Sequence, residues 1–442
     1  MNSLNYYYVY IMKNILTALG LFAFLTVHAQ IDQDLNQQLQ KSNILNKHYY
    51  GFSLYDINNQ SFVFNYNPEK HFTPASNTKV FTLYTSLKLI GDSIPGLAYE
   101  ERGDSLIFWG TGDPTFLHTR LDNGKVYNFL KNSNKKLFYA TANTQEPSYR
   151  NGWSIEDYEF YYQPEVSVFP IYGNVIQFRE VNGKLSLMPS HFDKEVVQLS
   201  DTTTRYRIHR ALENNRLEIN ELPLPKGYVN EKPFRPSDTL LVKLLEDTLH
   251  QEVQLINLPL LANHKIVYSL PTKDVLREMM LPSDNFLAEQ LNMIASFLKY
   301  RAFKTEDLRA YMMKEYYSKL PDTIELRDGS GLSSYNKITP RSMVQLLLWI
   351  NNEVRDEAAK LKLFPAGGLE GTLKGVYPTP GGKAFVWAKT GTINSVHCQS
   401  GYIQTKKGNR YAYSFLNNNY MGSSGPVRRE MVRIITHIYE NY

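Results

Sequence analysis

The chain has 442 residues, 43% hydrophobic and 21% charged, and this composition excludes wholesale disorder because it supplies ample apolar material for a core. At about 100–200 residues per domain, the length predicts two or three domains. The formal net charge of +5 is spread without long runs of like charge, which argues against nucleic-acid binding. The single cysteine, Cys398, excludes an intramolecular disulfide and disfavours a thiolate metal site.

The first 29 residues have the pattern of a secretory signal peptide. Lys13 precedes an apolar run over 15–27, and Ala29 ends a short segment typical of a cleavage site. The run is shorter than the roughly 20 residues of a membrane-spanning helix. We therefore expect cleavage after Ala29 and a periplasmic mature protein, with an uncleaved anchor as the alternative. The signal pattern begins at Met12, directly before Lys13, which favours Met12 over Met1 as the true start.

The mature chain begins with predicted helical and strand-like elements in alternation. A short helix leads into a hairpin of strands at 49–57 and 61–66, and an apolar helix follows over 76–90. From Gly91 to about His264 the chain consists mainly of short strand-like runs, 166–178 among them, separated by Gly, Pro and Asn. This pattern predicts a β-rich insertion.

The C-terminal part returns to longer elements. Helical periodicity is predicted over 286–298 and from Pro340 to Ile350, and an apolar face over 427–438 indicates a last helix. Three strands lie between these last two helices, at 385–389, 401–404 and 411–416.

The first motif that carries chemistry is Ser76-Asn77-Thr78-Lys79 at the start of a predicted helix. Residues three apart share a helix face, so the Lys79 amine can approach the Ser76 hydroxyl. A buried lysine with a depressed pKa can accept the serine proton and create a nucleophile. The alternative is a helix cap at Ser76 with a solvated Lys79.

The second motif is Ser283-Asp284-Asn285, directly before the helix predicted from Phe286. Its alternative interpretation is again a capping segment, since Ser and Asp favour helix starts. Alone, the motif has little specificity. Its value comes from its place between the other two.

The third motif is Lys389-Thr390-Gly391-Thr392 at the end of a predicted strand. A glycine on a strand leaves room for a ligand backbone to lie alongside. The alternative is a simple strand-to-turn junction. The three motifs together, in this order, form the signature of class A β-lactamases and penicillin-binding proteins.

The sequence resembles the D-alanyl-D-alanine carboxypeptidase/endopeptidases of the penicillin-binding protein 4 type, a class C low-molecular-mass group. The segments that carry the resemblance are TPASNTKVFT (73–82), SDNFLAEQL (283–291), DGSGLSSYNKITP (328–340) and AKTGT (388–392). The resemblance implies an α+β transpeptidase fold like that of serine β-lactamases, an antiparallel sheet with helices on both sides. The β-rich insertion interrupts this fold.

The resemblance also implies roles for the motif residues. Ser76 attacks the carbonyl between two terminal D-alanines, with Lys79 as the base, and forms an acyl-serine intermediate. Ser283 relays a proton to the leaving amine, and Asn285 binds the substrate amide.

The remaining roles belong to the third motif. Lys389, with the hydroxyls of Thr390 and Thr392, holds the terminal carboxylate of the substrate, while Gly391 makes room for its backbone. The N–H groups of Ser76 and Thr392 stabilise the oxyanion. Asp328 is either a turn residue or part of the site wall.

The expected partners are peptidoglycan stem peptides, with β-lactam antibiotics as covalent inhibitors and no nucleic acid. We expect neither metal nor cofactor, because the histidines show no metal-ligand spacing. Two alternatives stay open: a β-lactamase-like hydrolase on the same fold, and a catalytically idle peptidoglycan-binding protein. The sequence leaves open the oligomeric state, attachment to the membrane surface and the balance between trimming D-alanine and cutting cross-links.

The spacing of the motifs predicts the domain boundaries. The stretch between Ser76 and Ser283 is too long for the few helices that a compact acyl-serine fold needs there. We therefore expect a catalytic domain assembled from 30–91 and 263–442, with 92–262 as one or two inserted accessory domains.

Overall fold

A computed structural model describes residues 13–14, 30–141, 146–200 and 203–442. The predicted signal peptide therefore lies outside the described residues, apart from 13–14. Within these ranges, no helix is both long and apolar enough to cross a membrane. The chain forms two compact units: the first holds the chain up to Pro74 with Lys337–Leu361 and Pro365–Tyr442, and the second holds Ala75–Asn336 with Lys362–Phe364.

The strands of the described residues are β1 (Tyr49–Asp56), β2 (Ser61–Tyr66), β3 (Ser93–Arg102), β4 (Ser105–Trp109), β5 (Lys136–Thr141), β6 (Val175–Val181), β7 (Lys184–Met188), β8 (Val196–Leu199), β9 (Ile208–Arg210), β10 (Leu217–Asn220), β11 (Val229–Pro233), β12 (Val253–Asn257), β13 (Lys265–Pro271), β14 (Val386–Ile393), β15 (Val396–Gln404) and β16 (Arg410–Asn418). The α-helices are α1 (30–40), α2 (Lys79–Leu89), α3 (Lys125–Lys131), α4 (Asp238–Leu249), α5 (Thr272–Met280), α6 (Asn285–Tyr300), α7 (Thr305–Glu315), α8 (Pro340–Glu353), α9 (Glu357–Lys362) and α10 (Gly425–Asn441).

The first unit is built on an antiparallel sheet in the order β14-β15-β16-β1-β2. Successive side chains of a strand point to opposite faces, and both faces of this sheet carry packed side chains. The Tyr402 hydroxyl donates to the Leu347 carbonyl of α8, whereas Ile403 belongs to the core that contains the apolar face of α10. Helices therefore cover both faces of this sheet, as the family resemblance implies.

The second unit contains the stretch 92–262 that the sequence predicts as an insertion, and it is rich in strands. Its largest sheet has the order β12-β5-β4-β3-β13 and mixes parallel and antiparallel pairs, and two three-stranded sheets have the orders β11-β6-β7 and β8-β10-β9. The predicted strand-like run over 166–178 is a strand only from Val175, because Tyr172, Gly173 and Asn174 adopt left-handed backbone angles that interrupt an extended chain.

The helix that carries the second motif packs against a strand of the stretch between the first two motifs. Met293 and Phe297 of α6 share a buried apolar cluster with Ile107 and Trp109 of β4. This packing places the helical segment and the insertion in one compact unit. The boundaries expected from the sequence, 30–91 with 263–442 against 92–262, divide the chain differently and stay a prediction.

We expect Ile434→Ala to lower the free energy of unfolding by about 2–5 kcal/mol, because Ile434 is fully buried in the core between α10 and the sheet and its truncation leaves a cavity. Urea denaturation followed by circular dichroism measures the change. Arg429→Ala, on the exposed face of the same helix, is the matched control and is expected to change stability by less than about 0.5 kcal/mol. Equal losses in the two variants would contradict this account of the core.

Candidate active site

Ser76 lies in a single 3₁₀ turn, Ala75–Thr78, that runs directly into α2 at Lys79. The Thr78 hydroxyl donates to the Ala75 carbonyl and closes the turn. Ala75 has a left-handed φ of 47°, a conformation that costs energy for a non-glycine residue. The turn places Lys79 Nζ 3.0 Å from Ser76 Oγ. The two residues of the first motif are therefore in hydrogen-bond contact.

Lys79 is completely buried, which contradicts the alternative of a solvated capping segment. Its Nζ atom contacts three oxygens: Ser76 Oγ at 3.0 Å, Asn285 Oδ1 at 2.6 Å and the Ser330 carbonyl oxygen at 2.6 Å. A charged ammonium donates to all three. A neutral amine keeps two N–H groups for the two carbonyl oxygens, which can only accept, and its lone pair then faces the serine hydroxyl. The geometry suits a base for Ser76.

Burial is the dominant influence on the protonation of Lys79. It lowers the pKa of the amine to about 8, because the charged form loses its hydration inside the protein. The negative charges of Asp328, Asp284 and Glu289 oppose this shift without cancelling it. A neutral fraction of Lys79 is therefore present near neutral pH, as a general base requires.

Asn285 is the first residue of α6 and is fixed from both ends of its amide. Oδ1 accepts from Lys79, and Nδ2 donates to the Tyr162 carbonyl at 2.9 Å. This second bond assigns the orientation of the amide and keeps its oxygen directed at the amine. The helix cap is Asp284, whose side chain accepts from the Leu287 N–H.

Ser283 has a left-handed φ of 66° and lines a pocket together with Asn285. The rings of Tyr161 and Tyr162, which come from the insertion, line the same pocket. The second motif is therefore joined to the first through Asn285, while Ser283 faces a cleft beside it.

The loop over 328–336 supplies the third oxygen that contacts Lys79, and Asp328 organises this loop. Its carboxylate accepts hydrogen bonds from five groups, at 2.6–3.0 Å: Trp153 Nε1, Ser330 Oγ, Gly331 N, Ser333 N and Asn336 Nδ2. The sequence leaves Asp328 undecided between turn residue and site wall. In the structure it shapes the turn that presents the Ser330 carbonyl to the amine.

Gly331 allows this loop to approach Ser76 closely. A Cβ atom at this position would lie 1.9 Å from the Ala75 carbonyl oxygen and 2.9 Å from the Ser76 nitrogen, and φ is +87°. Both the space and the backbone angle therefore require glycine. Sequence reasoning missed Ser330 as a site residue, because it acts through a backbone carbonyl, which any residue possesses.

The third motif belongs to the other compact unit, on β14, an edge strand of the five-stranded sheet. Lys389 is buried and its Nζ donates to the Thr390 carbonyl at 2.6 Å, while Thr390 Oγ1 donates to Thr372 Oγ1 at 2.7 Å. Gly391 lies opposite Cys398 in the strand pairing. An edge strand offers backbone groups to which an extended peptide can pair.

Thr392 is the exposed member of this motif, and its hydroxyl is held by the His397 ring at 2.8 Å. Burial lowers the pKa of His397 to about 4, so the ring is neutral at physiological pH. The neighbouring Cys398 is fully buried, and burial raises the pKa of its thiol to about 12. Cys398 is therefore a small buried side chain.

Within the described residues, no group of three or more His, Cys, Asp or Glu side chains is placed to hold a metal ion. The site consists of a serine hydroxyl, a buried lysine amine and an amide, followed along the chain by a buried Lys-Thr-Gly strand. These features define the serine–lysine class that includes penicillin-binding proteins and class A β-lactamases.

The chain belongs to the D-Ala-D-Ala carboxypeptidase 3 (S13) family, whose model matches residues 31–438. It is 26% identical to the D-alanyl-D-alanine carboxypeptidase DacB of Haemophilus influenzae over 92% of this chain and 94% of that protein. It is 27% identical to the carboxypeptidase DacB of Mycolicibacterium smegmatis over 38% of this chain and 37% of that protein. The protein is thus a D-alanyl-D-alanine carboxypeptidase of this family, and the resemblance found in the motifs is confirmed.

Solved structures confirm the predicted α+β fold. The crystal structure of penicillin-binding protein 4 from H. influenzae matches with a TM-score of 0.74 and 20% identity, covering 92% of this chain and 99% of that one. The complex of that protein with a β-lactam matches with a TM-score of 0.69, 19% identity and the same coverage. Bd3459, a peptidoglycan endopeptidase of Bdellovibrio bacteriovorus, matches with a TM-score of 0.53 and 14% identity, over 88% of this chain and 93% of that one.

We expect Gly331→Ala to slow labelling by a fluorescent penicillin by about 10²-fold, because the new Cβ displaces the Ala75–Ser76 peptide and misplaces the nucleophile. The labelling rate is measured at a fixed penicillin concentration. Gly183→Ala is the control: φ is +78° there as well, but no atom lies within 4 Å of the added Cβ. A Gly331→Ala protein labelled at the wild-type rate would contradict the steric argument.

Proposed function

We propose that the protein is a periplasmic serine carboxypeptidase that trims the terminal D-alanine from peptidoglycan stem peptides through an acyl-serine on Ser76. The observation that carries this proposal is the environment of Lys79 Nζ, 3.0 Å from Ser76 Oγ and flanked by two oxygens that only accept. Family membership supports the reaction class. The periplasmic location rests on the signal-peptide pattern of residues 12–29.

The first half-reaction forms the acyl-enzyme. Neutral Lys79 accepts the Ser76 proton, and Oγ attacks the carbonyl between the two D-alanines to give a tetrahedral oxyanion. The C–N bond then breaks, and the D-alanine amine leaves with a proton that Ser283 relays. The acyl group stays on Ser76, and Asn285 binds the amide of the retained peptide.

The second half-reaction consumes one water. Water adds to the acyl carbonyl, loses a proton to the base and releases the shortened peptide with a new carboxylate. By the family resemblance, the N–H groups of Ser76 and Thr392 stabilise both oxyanions, and Lys389, Thr390 and Thr392 hold the substrate carboxylate. We extend the proposal to the cutting of cross-links, because a D-alanyl amide to a diamino acid presents the same carbonyl to Ser76.

We expect wild-type protein to form a stable covalent adduct with a fluorescent penicillin on Ser76, visible after denaturing electrophoresis and located by peptide mass spectrometry. Ser76→Ala is expected to lose both the adduct and D-alanine release from a pentapeptide ending in D-Ala-D-Ala. The matched control is Ser86→Ala on the same helix, where the hydroxyl donates only to the Thr82 carbonyl, and we expect it to retain both activities.

The outcomes of this experiment separate the alternatives. Rapid release of hydrolysed penicillin would favour a β-lactamase, and absence of adduct together with absence of D-alanine release would favour a catalytically idle wall-binding protein. A cross-linked muropeptide dimer, offered to the same preparations, reports the endopeptidase activity. Its cleavage by Ser86→Ala but not by Ser76→Ala assigns both reactions to one nucleophile.

The rate of acylation is expected to rise with pH up to a plateau, with a midpoint near the pKa of Lys79, about 8. The sign follows from the chemistry: below the midpoint Lys79 is charged and cannot accept the serine proton, and above it the amine is neutral. Stopped-flow acylation between pH 6 and about 10 measures this limb. A rate that is independent of pH over this interval would remove Lys79 as the base.

A further inference from the structure

Glu289 lies one helical turn after Asn285 in α6, on the same face, and is almost completely buried, with 2% of its side chain exposed. The mechanism above gives it no role. Its Oε1 atom accepts from the backbone N–H groups of Gly329 and Ser330, both at 2.8 Å. Its Oε2 atom accepts from Arg150 Nε at 3.1 Å.

The three partners of Glu289 indicate that it is a carboxylate. All of them are N–H donors, and a protonated carboxyl would direct a further donor at one of them. Burial, together with the charge of Asp328, raises the pKa of Glu289 above its ordinary value, and Arg150 and the Gly329 N–H oppose this shift. A buried charge without partners costs several kcal/mol. Here the two backbone groups and Arg150 replace its lost hydration.

The contacts of Glu289 hold the peptide that directly precedes the one whose carbonyl contacts Lys79. From the opposite side, Thr82 Oγ1 of α2 donates to the Gly329 carbonyl at 2.7 Å. Side chains of α2 and α6 therefore both bind the Gly329–Ser330 segment. The Ser330 carbonyl oxygen lies 2.6 Å from Lys79 Nζ. One face of α6 thus determines both acceptors of the amine: Asn285 directly, and Ser330 through Glu289.

Building on the proposed function, we propose that Glu289 is a positioning residue for acylation. Its carboxylate fixes the Gly329–Ser330 peptide and thereby positions the adjoining Ser330–Gly331 peptide. The Ser330 carbonyl, together with the Asn285 amide oxygen, then takes the two N–H groups of neutral Lys79. The lone pair of the amine is then directed at the Ser76 hydroxyl. When the peptide is free to rotate, the amine has other orientations and acylation slows.

The test is Glu289→Gln, which keeps the size of the side chain. If its oxygen faces the loop, its NH₂ group opposes Arg150 Nε–H. If the amide is reversed, the NH₂ opposes the two backbone N–H groups. Either way one set of donors loses its acceptor, and we expect the plateau rate of penicillin acylation to fall by about 10–100-fold, the usual cost of removing an orienting partner.

A second readout separates positioning from loss of stability. Glu289 is one of three negative charges that act on Lys79, the others being Asp284 and Asp328. Two arginines pair with these carboxylates: Arg150 with Glu289, and Arg120 with Asp284. With Glu289 neutral, the remaining charges favour ammonium less, so the pH limb of acylation is expected to move to lower pH. A merely less stable protein lowers the amplitude and leaves the limb in place.

Glu146→Gln is the matched control. Glu146 also pairs with Arg150, through Nη1 at 3.3 Å, but its other contacts are the backbone N–H and the hydroxyl of Thr305. The Glu146→Gln substitution removes a negative charge that pairs with the same arginine, but it leaves the contacts of the Gly329–Ser330 peptide in place. We expect its acylation rate and pH limb to match those of wild-type protein.

The double variant Glu289→Gln/Arg150→Met covers the case in which Glu289→Gln does not fold. Without the guanidinium, the new amide oxygen can accept from the loop, and the NH₂ group meets no opposing donor. We therefore expect the double variant to have a plateau rate at least about 5-fold above that of the single variant. If the single variant is unfolded, we expect the double variant to be folded and labelled. A folded Glu289→Gln protein with the wild-type rate and limb would overturn the proposal, as would an equal loss in Glu146→Gln. Failure of wild-type protein to label on Ser76 would instead overturn the proposed function.

Discussion

Burial of the Lys79 amine is the constraint on which the site depends. An ammonium removed from water is unstable unless oxygen atoms replace its hydration, and these oxygens must also tolerate the neutral form. In this site, one hydroxyl oxygen and two carbonyl-type oxygens lie 2.6–3.0 Å from Lys79 Nζ. Three carboxylates act on the amine electrostatically, yet the pKa stays lowered, to about 8. The opposing effects of burial and of the carboxylate charges thus leave the pKa of Lys79 close to the pH at which a general base is effective.

Both carbonyl-type oxygens around the amine are held by a further layer of contacts. The Asn285 amide is oriented by the Tyr162 carbonyl. Asp328 accepts from the N–H of the Ser330–Gly331 peptide, and Glu289 holds the peptide before it. Trp153 donates to Asp328 and Arg150 donates to Glu289. Tyr162, Trp153 and Arg150 all come from the long stretch between the first two motifs. This stretch therefore contributes contacts that orient the groups around Lys79.

Much of the fold and of the site could be predicted from the sequence. The helix after Ser76, the helix from Asn285 and the strand with Lys389 are predicted by periodicity and are found, because their apolar faces repeat with the period of the element. The ends of elements are less well predicted. The strand expected at 385–389 continues to Ile393, since pairing with β15 extends through the Lys-Thr-Gly motif.

The enzyme class could be inferred from the sequence, because Ser-x-x-Lys, Ser-Asp-Asn and Lys-Thr-Gly occur together and in this order. The groups that surround these motif residues become visible only in the folded chain. The Ser330 carbonyl has no sequence signature, the pKa of Lys79 depends on burial by distant segments, and Glu289 meets its partners only when α6 packs against the loop over 328–336. A motif specifies covalent chemistry, whereas desolvation and orientation arise from residues brought together by folding.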